Sequence, residues 1–217
     1  MQIIRKIIRR TPVHGVLHHL KRQHHNRKAL QAWEQNGRPV PPPHIIKQLT
    51  VKDYARRFNL EVLIETGTGY GEMIYATKDF FKHIYSIELS EELAQAAQQK
   101  YGKHANVQVI HGDSSHVLPT LLPAIVEPTL FWLDAHYSSG PTARGESDTP
   151  IMQELSLILQ GSQKRNVILI DDARHFTGLN GYPTVEELRA FMKKHRPQWV
   201  FELKDDIIRT HPHQRSN

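Results

Sequence analysis

Glu-Thr-Gly-Thr-Gly-Tyr-Gly, at residues 65–71, is the stretch that decides the fold of this chain. It follows the apolar run Val-Leu-Ile at 62–64 and precedes a helix-like segment, residues 72–81. A strand therefore runs into a glycine-rich turn and then into a helix. Because glycine has no Cβ and tolerates positive φ, such a turn lets a ligand lie almost against the backbone. The alternative is a tight strand-to-helix turn that binds no ligand.

The spacing of the glycines narrows the class of ligand. Gly67, Gly69 and Gly71 form G-x-G-x-G, whereas the dinucleotide fingerprint G-x-G-x-x-G requires a glycine at position 72, which is Glu72. A second departure is the acidic Glu65, two residues before the first glycine. The turn therefore differs from the pyrophosphate-binding turn of NAD enzymes.

Two further predicted strands end in acids. Residues 83–88 form the second strand, which ends in Glu88, 21 residues after Gly67. An acid at this offset can accept both ribose hydroxyls of an adenosine ligand, and both NAD enzymes and S-adenosylmethionine (SAM) enzymes use one. Residues 107–114 contain the third strand and end in Gly-Asp-Ser. Asp113 there is also suited to cap the following helix, and a ligand-binding role is compatible with capping.

The fourth and fifth predicted strands, residues 129–134 and 167–171, are nearly all apolar and end in carboxylates. Strands buried on both faces have this composition. Because the carboxyl ends of parallel strands meet at one edge of the sheet, we expect Asp134, Asp171 and Asp172 to converge. An all-oxygen ligand set suits Mg²⁺, which would balance three repelling carboxylates. The alternative is that Asp172 bonds locally and only Asp134 contacts substrate.

These motifs carry a family resemblance. From about Glu61 to the C-terminus the chain resembles the class I SAM-dependent methyltransferases, and Leu133–Tyr137 with Ile170–Asp172 resembles the macrocin-type, metal-dependent sugar O-methyltransferases. The resemblance implies that the glycine-rich turn faces the methionine part of SAM and that Asp113 meets the adenine amino group. It also implies that the carboxylates hold Mg²⁺, which orients a sugar hydroxyl beside the methyl group. The chain has His136 where that family often has a further acid.

Three sets of site residues follow from the motifs and the resemblance. The residues predicted to bind SAM are Glu65, Gly67, Thr68, Gly69, Gly71, Glu88, Asp113, Ser114 and Asp134. The predicted Mg²⁺ ligands are Asp134, Asp171 and Asp172, and the predicted catalytic residues are Asp134 and His136, with His175 as a second candidate base. The polar loop 135–149, which contains Arg144, is predicted to act as a lid over the substrate.

The pattern as a whole predicts an α/β fold: a Rossmann-like, doubly wound sheet of seven strands, mostly parallel, with a terminal antiparallel hairpin at 199–203 and 207–210. We expect a basic, helical N-terminal extension at residues 1–43 and a methyltransferase domain at 44–217. Predicted helices cover 45–58, 70–81, 90–100 and 184–195, with one starting at Pro150 and a short one ended by Pro119 and Pro123.

Charge is unevenly distributed along the chain. Residues 1–60 carry 13 Lys and Arg against two acids, whereas the remainder carries 15 basic and 20 acidic residues. Isoleucines at positions 3, 4, 7 and 8 with basic residues between them predict a short amphipathic helix. Such a helix can lie on an anionic membrane surface, bind nucleic acid, or cover the domain or a partner copy. Nucleic acid is disfavoured, because residues 1–60 show no pattern of base-stacking aromatics.

The chain has no cysteine, no apolar run of membrane-spanning length and no secretory leader pattern at residues 1–10, so we expect a cytoplasmic protein with membrane-peripheral contact through its basic N-terminus. The function expected is methyl transfer from SAM to a hydroxyl of a small molecule or saccharide, assisted by Mg²⁺. An RNA-directed methyltransferase, an NAD-type oxidoreductase and a nucleotide-binding protein without methyl transfer are the alternatives.

Overall fold

The computed structural model describes residues 12–134, 149–161 and 166–213, with side chains from residue 20 onward. The helices are α1 (Pro12–Gln35), α2 (His44–Phe58), α3 (Glu72–Thr77), α4 (Glu91–Tyr101), α5 (Ser114–Leu121), α6 (Ile151–Gly161) and α7 (Val185–His195). The strands are β1 (Val62–Thr66), β2 (His83–Glu88), β3 (Val107–His111), β4 (Thr129–Leu133), β5 (Val167–Ile170), β6 (Trp199–Lys204) and β7 (Ile207–Pro212). Short 3₁₀ turns cover Leu122–Ala124 and Ala173–His175.

The seven strands form one sheet in the order β3-β2-β1-β4-β5-β7-β6. The first five strands pair in parallel, whereas β7 runs antiparallel to both β5 and β6. The order reverses at β1, from which the chain winds outward in one direction and later in the other. Ligands of open α/β sheets bind at this reversal, outside the carboxyl ends of the strands. The predicted fold class is confirmed.

Two hydrophobic cores cover the two faces of the sheet. Alternate residues of β1 show why: Ile64 packs with α5, α6 and α7, whereas Leu63 packs with α2, α3 and α4. Because successive side chains of a strand point to opposite faces, a strand covered on both sides must be apolar throughout. Every residue of β1, β4 and β5 is buried, which holds the carboxyl ends of these strands rigidly in place.

Two predicted helix bounds are wrong. The helix expected at residues 70–81 spans only Glu72–Thr77, because Gly71 adopts a left-handed conformation before it and the chain turns after Lys78 to bury Phe81. Pro119 does not end its helix, since α5 continues through it to Leu121. A capping box begins α7: Thr184 and Glu187 bond each other's backbone N–H groups.

Helix α1 belongs to the predicted N-terminal extension, and α2 begins at its predicted end. The Trp33 side chain is buried, and its indole N–H donates to Pro39 O at 2.8 Å, which fixes the connection between α1 and α2. The predicted amphipathic helix at residues 3–10 lies outside the described residues. None of the helices described has both the length and the apolarity needed to span a bilayer.

Candidate active site

The glycine-rich turn lies at the carboxyl end of β1. Gly67, Gly69 and Gly71 all have positive φ, at 87°, 51° and 70°. A Cβ on Gly71 would lie 2.5 Å from a Tyr101 ring carbon, and the Tyr101 hydroxyl donates to Gly71 O at 2.6 Å. A Cβ on Gly69, by contrast, would meet no atom of the described residues within 4 Å. Gly71 is therefore required by packing, whereas the open face of Gly69 leaves room for a ligand against the backbone.

A buried chain of hydrogen bonds supports this turn from below. Ser86 Oγ donates to Glu65 Oε2 at 2.5 Å and lies 2.6 Å from Thr68 Oγ1. Burial raises the pKa of Glu65 to about 8, more than the Ser86 hydrogen bond lowers it. Glu65 and Thr68, both predicted to bind SAM, are thus connected through Ser86 and tie β1 and β2 to the turn.

Glu65→Gln is expected to flatten the pH dependence of stability. Because the pKa of Glu65 rises on folding from 4.5 to about 8, the folded chain holds a proton that the unfolded chain has lost. Stability from this group is full below pH 4.5 and falls as pH rises towards 8, by at most about 1.4 kcal/mol per pH unit. Glutamine keeps the hydrogen bond and does not titrate.

Urea unfolding from pH 5 to 8 measures how the free energy of unfolding changes with pH, with the exposed Glu91→Gln as control. Equal slopes for wild type and Glu65→Gln would contradict a neutral buried Glu65.

Glu88 is held by two backbone N–H groups at the end of β2. Gly69 N donates to Glu88 Oε2 at 2.8 Å, and Ser90 N donates to Oε1 at 2.9 Å. Each carboxylate oxygen retains a further lone pair. The carboxylate is therefore fixed beside the glycine-rich turn in a position where it can accept the two hydroxyls of a ribose.

Asp113 caps helix α5. Its Oδ1 accepts from Ser115 N at 2.8 Å and from Ser115 Oγ at 2.6 Å, while no described residue bonds Oδ2. Asp113 therefore caps α5, as the alternative interpretation of the sequence expected. Its Oδ2 remains available to a ligand. Ser114, also predicted to bind SAM, is buried beside it in the first turn of the helix.

A buried carboxyl that the sequence analysis missed lies beneath this region. Glu154 of α6 is only 1% exposed, and burial raises its pKa to about 7, more than the neighbouring Ser114 hydroxyl lowers it. Its Oε1 and Thr66 Oγ1 have no hydrogen-bond partner among the described residues. Helical periodicity marks position 154 only as core-facing, so the sequence carried no signal for a buried acid.

The three predicted metal ligands do converge. Asp134 follows β4 and Asp171–Asp172 follow β5, and each offers an oxygen within 4.8 Å of the others. Asp134 N donates to Thr66 O at 2.9 Å and Asp171 N donates to Leu133 O at 3.0 Å, so the strand pairing continues up to the carboxylates. We call Asp134, Asp171 and Asp172 the carboxylate cluster. It lies next to the glycine-rich turn, because β4 and β1 are neighbours.

Two cationic side chains contact the carboxylate cluster. Lys47 of α2 donates to Asp171 Oδ2 and, at 3.0 Å, to Asp172 Oδ1. Arg174 donates to Asp172 Oδ1 at 2.8 Å and also bonds Asp206 in the β6–β7 turn. The sequence analysis found neither, because Lys47 lies 124 residues from Asp171 and no local pattern connects them.

Burial and neighbouring charges shift the pKa values of Lys47 and Asp171. Burial opposes the charge of Lys47, but Asp171 and Asp134 outweigh it and raise the lysine pKa. Burial and the charge of Asp134 in turn raise the pKa of Asp171, although Lys47 opposes this. Both directions have one origin: Asp134, Asp171 and Asp172 lie close together, so their carboxyl groups disfavour one another's negative charge and favour a positive charge between them. A cluster of oxygen ligands of this kind suits a divalent cation.

The residues present fit both groups that the motifs imply. For SAM, the open face of Gly69 and the fixed carboxylate of Glu88 provide space and hydrogen-bond acceptors. For Mg²⁺, the carboxylate cluster provides hard oxygen ligands, although Lys47 bonds two of the same carboxylates. A cation could therefore bind Asp134, Asp171 and Asp172 only if Lys47 shared or released these oxygens.

Of the two histidines predicted as candidate bases, the structure describes only His175. His136, with Arg144 and the predicted lid, lies outside the described residues. His175 is exposed, with its ring 5.9 Å from that of Tyr182. A third histidine, His44 at the start of α2, lies close enough to Asp134 and Lys47 for their charges to interact with it. The sequence analysis missed it, because its position depends on how α2 crosses the sheet.

Comparison with known proteins places this geometry in a fold family. No protein-family model matches the chain. An O-methyltransferase from Bacillus cereus in complex with SAH superposes with a TM-score of 0.58 at 15% identity, over 87% of this chain and 90% of that one. The O-methyltransferase TomG from Streptomyces achromogenes, in complex with SAM, gives a TM-score of 0.57 at 17% identity, over 87% and 89% of the two chains.

The chain has the class I SAM-dependent methyltransferase fold. A sequence relative agrees with it: protein-L-isoaspartate O-methyltransferase 2 of Syntrophobacter fumaroxidans is 30% identical over 98 residues, which cover 41% of this chain and 39% of the relative. The chain spans about two fifths of the length of the curated relatives it matches.

Proposed function

We propose that this protein is a SAM-dependent methyltransferase that methylates a hydroxyl of a small molecule or saccharide with the assistance of Mg²⁺. The observation that carries the proposal is the adjacency of two features at one sheet edge. The glycine-rich turn with Glu88 fits an adenosine-containing ligand, and the carboxylate cluster after the neighbouring β4 fits a hydroxyl acceptor. A plain nucleotide-binding fold does not require the second feature.

Each of the site residues has a separate role in the proposed reaction. Glu88 accepts the ribose hydroxyls, and Gly69 lets the ligand lie against the backbone. SAM, when bound, supplies an electrophilic methyl group. Asp134 holds the acceptor hydroxyl in line, and His136 is the predicted base that takes its proton. Positioning and exclusion of water account for most of the rate gain in such a transfer.

The proposal includes assistance of the reaction by Mg²⁺. Asp134, Asp171 and Asp172 would hold the ion, which when bound lowers the pKa of a hydroxyl oxygen. The convergence of the three carboxylates supports this role, and the contacts of Lys47 oppose it. Lys47 also supplies a permanent positive charge beside Asp134, so some activity without added metal is expected.

The relatives described above support oxygen as the methylated atom. The two structures and the sequence relative described above are all O-methyltransferases. A saccharide acceptor, as in the macrocin-type enzymes, is proposed on the Asp134 and Asp171–Asp172 motifs alone. Membrane contact through the basic N-terminus and self-association stay predictions.

Calorimetric titration with S-adenosylhomocysteine (SAH), with and without Mg²⁺, tests the proposal. We expect micromolar binding to the wild type, and about tenfold or greater weakening by Gly69→Ala, because the new Cβ fills the space of the ligand. Gly37→Ala is the matched control: its φ is also positive and its Cβ also meets no atom within 4 Å, but it lies after α1. Absence of SAH binding in the wild type would refute the proposal.

A further inference from the structure

A groove of 470 Å³ opens beside the candidate active site, where α1 crosses the starts of α2 and α3. We call it the basic groove. The ionisable side chains that line it are Lys21, Arg22 and His25 of α1, His44 of α2, and Glu72 of α3. Its volume is in the range typical of small-molecule sites, about 300–1,000 Å³.

The basic groove borders both parts of the candidate active site. Glu72 directly follows Gly71 of the glycine-rich turn. His44 lies one helical turn before Lys47, which contacts the carboxylate cluster. A molecule in the groove can therefore place one of its groups near the carboxylate cluster without leaving the groove.

One cation of the basic groove, Arg22, is held by contacts that also anchor α1. Arg22 pairs with Glu72 at 3.1 Å, and its guanidinium lies 4.3 Å from the centre of the Tyr75 ring. Lys100 adds a further positive charge nearby, with its Nζ donating to Tyr70 O at 3.0 Å. Because Glu72 is shared between these groups, it does not neutralise the groove.

Two further basic side chains are available to a ligand. Lys21 and His25 are exposed, one helical turn apart on α1, and neither has an ion pair or hydrogen bond to any described residue. Basic side chains thus line the groove on the α1 side, whereas the neighbouring cluster consists of carboxylates. An acceptor with an anionic group at one end and a hydroxyl at the other would be oriented by these opposite charges.

We propose that the basic groove binds the anionic group, a phosphate or a carboxylate, of a small methyl acceptor. This inference rests on the proposed function, which names the hydroxyl and leaves the rest of the acceptor open. The size of the groove favours a small anion over nucleic acid as its occupant. The extension at residues 1–43 would then select the acceptor as well as cover the domain.

Titration with inorganic phosphate and with acetate, followed by the NMR shifts of the Asn26 and Glu72 amides, tests this site. Lys21→Ala/His25→Ala removes the two unpaired groups, and His24→Ala/Lys28→Ala removes the same residue types from elsewhere on α1. We expect saturable shifts at millimolar anion in the wild type and the control, and about tenfold weaker binding in the first variant. Saturable shifts with phosphate alone would indicate that the acceptor carries a phosphate group. Saturable shifts with both anions would indicate that the groove also binds acceptors with a carboxylate.

No saturable shift with either anion, or equal affinity in the two double variants, would overturn the inference. SAH titration of the same samples separates this result from the proposed function. Both double variants should bind SAH as the wild type does, since neither touches Glu88 or the glycine-rich turn. If the protein bound anions but not SAH, the proposed methyltransferase function would be refuted, whereas the groove would still be an anion-binding site.

Discussion

Asp134→Asn is expected to lower methyl transfer by about 1,000-fold or more while leaving SAH affinity within about twofold of the wild type. Asparagine keeps the size of the side chain but loses the charge that orients an acceptor hydroxyl or binds a cation. The residue lies after β4, between the glycine-rich turn and the other carboxylates, so its charge acts on the acceptor side. Glu88, which is expected to hold the ribose, is untouched.

The measurement is transfer of label from methyl-labelled SAM to the low-molecular-weight fraction of a cell extract, alongside calorimetric SAH binding. The matched control is Asp53→Asn, which changes an exposed carboxylate paired with Arg57 on α2. Normal labelling by Asp134→Asn would remove Asp134 from the catalytic residues. Loss of both labelling and SAH binding would show that Asp134 serves the cofactor instead.

Lys47→Met is expected to lower the free energy of unfolding by about 3–5 kcal/mol in the presence of EDTA. The lysine side chain is 14% exposed and contacts two buried carboxylates. Methionine would remove its positive charge from both, although Arg174 would still contact Asp172. Mg²⁺ should recover a large part of this loss, because the carboxylate cluster would then bind the ion without competition. The same concentration of Mg²⁺ should stabilise the wild type less.

Urea unfolding with EDTA and with Mg²⁺ measures both effects. Lys52→Met is the control, since Lys52 lies on the same helix and no ion pair joins it to the described carboxylates. Equal responses to Mg²⁺ in the wild type and Lys47→Met would argue against the carboxylates as the metal site. An unchanged stability in EDTA would show that the Lys47 contacts contribute nothing.

The strands were predictable because each is a short apolar run bounded by polar or glycine residues. The predicted bounds of β2 match the structure to the residue, and those of β4 and β5 differ by one. Convergence of Asp134, Asp171 and Asp172 followed from the shared edge of parallel strands. Helix lengths were harder, because tertiary packing of Phe81 rather than helix propensity ends α3.

Groups that come from distant parts of the chain were not predictable. Lys47 and His44 are ordinary polar residues of an amphipathic helix until the direction of α2 across the sheet is known. The basic groove needs in addition the position of α1, which brings Arg22 to Glu72 across 50 residues of sequence. Residue patterns record which face of a helix is apolar, but not which neighbour its polar face meets.

The β6–β7 hairpin has a consequence for when this protein becomes competent during its synthesis. Asp206 at the turn bonds Arg174, which bonds Asp172, and β7 is the strand that covers the edge of β5. These residues leave the ribosome after all the other described parts of the site. A nascent chain can therefore form the glycine-rich turn early, but its acidic edge is complete only once Ile207–Pro212 has been translated and has inserted between β5 and β6.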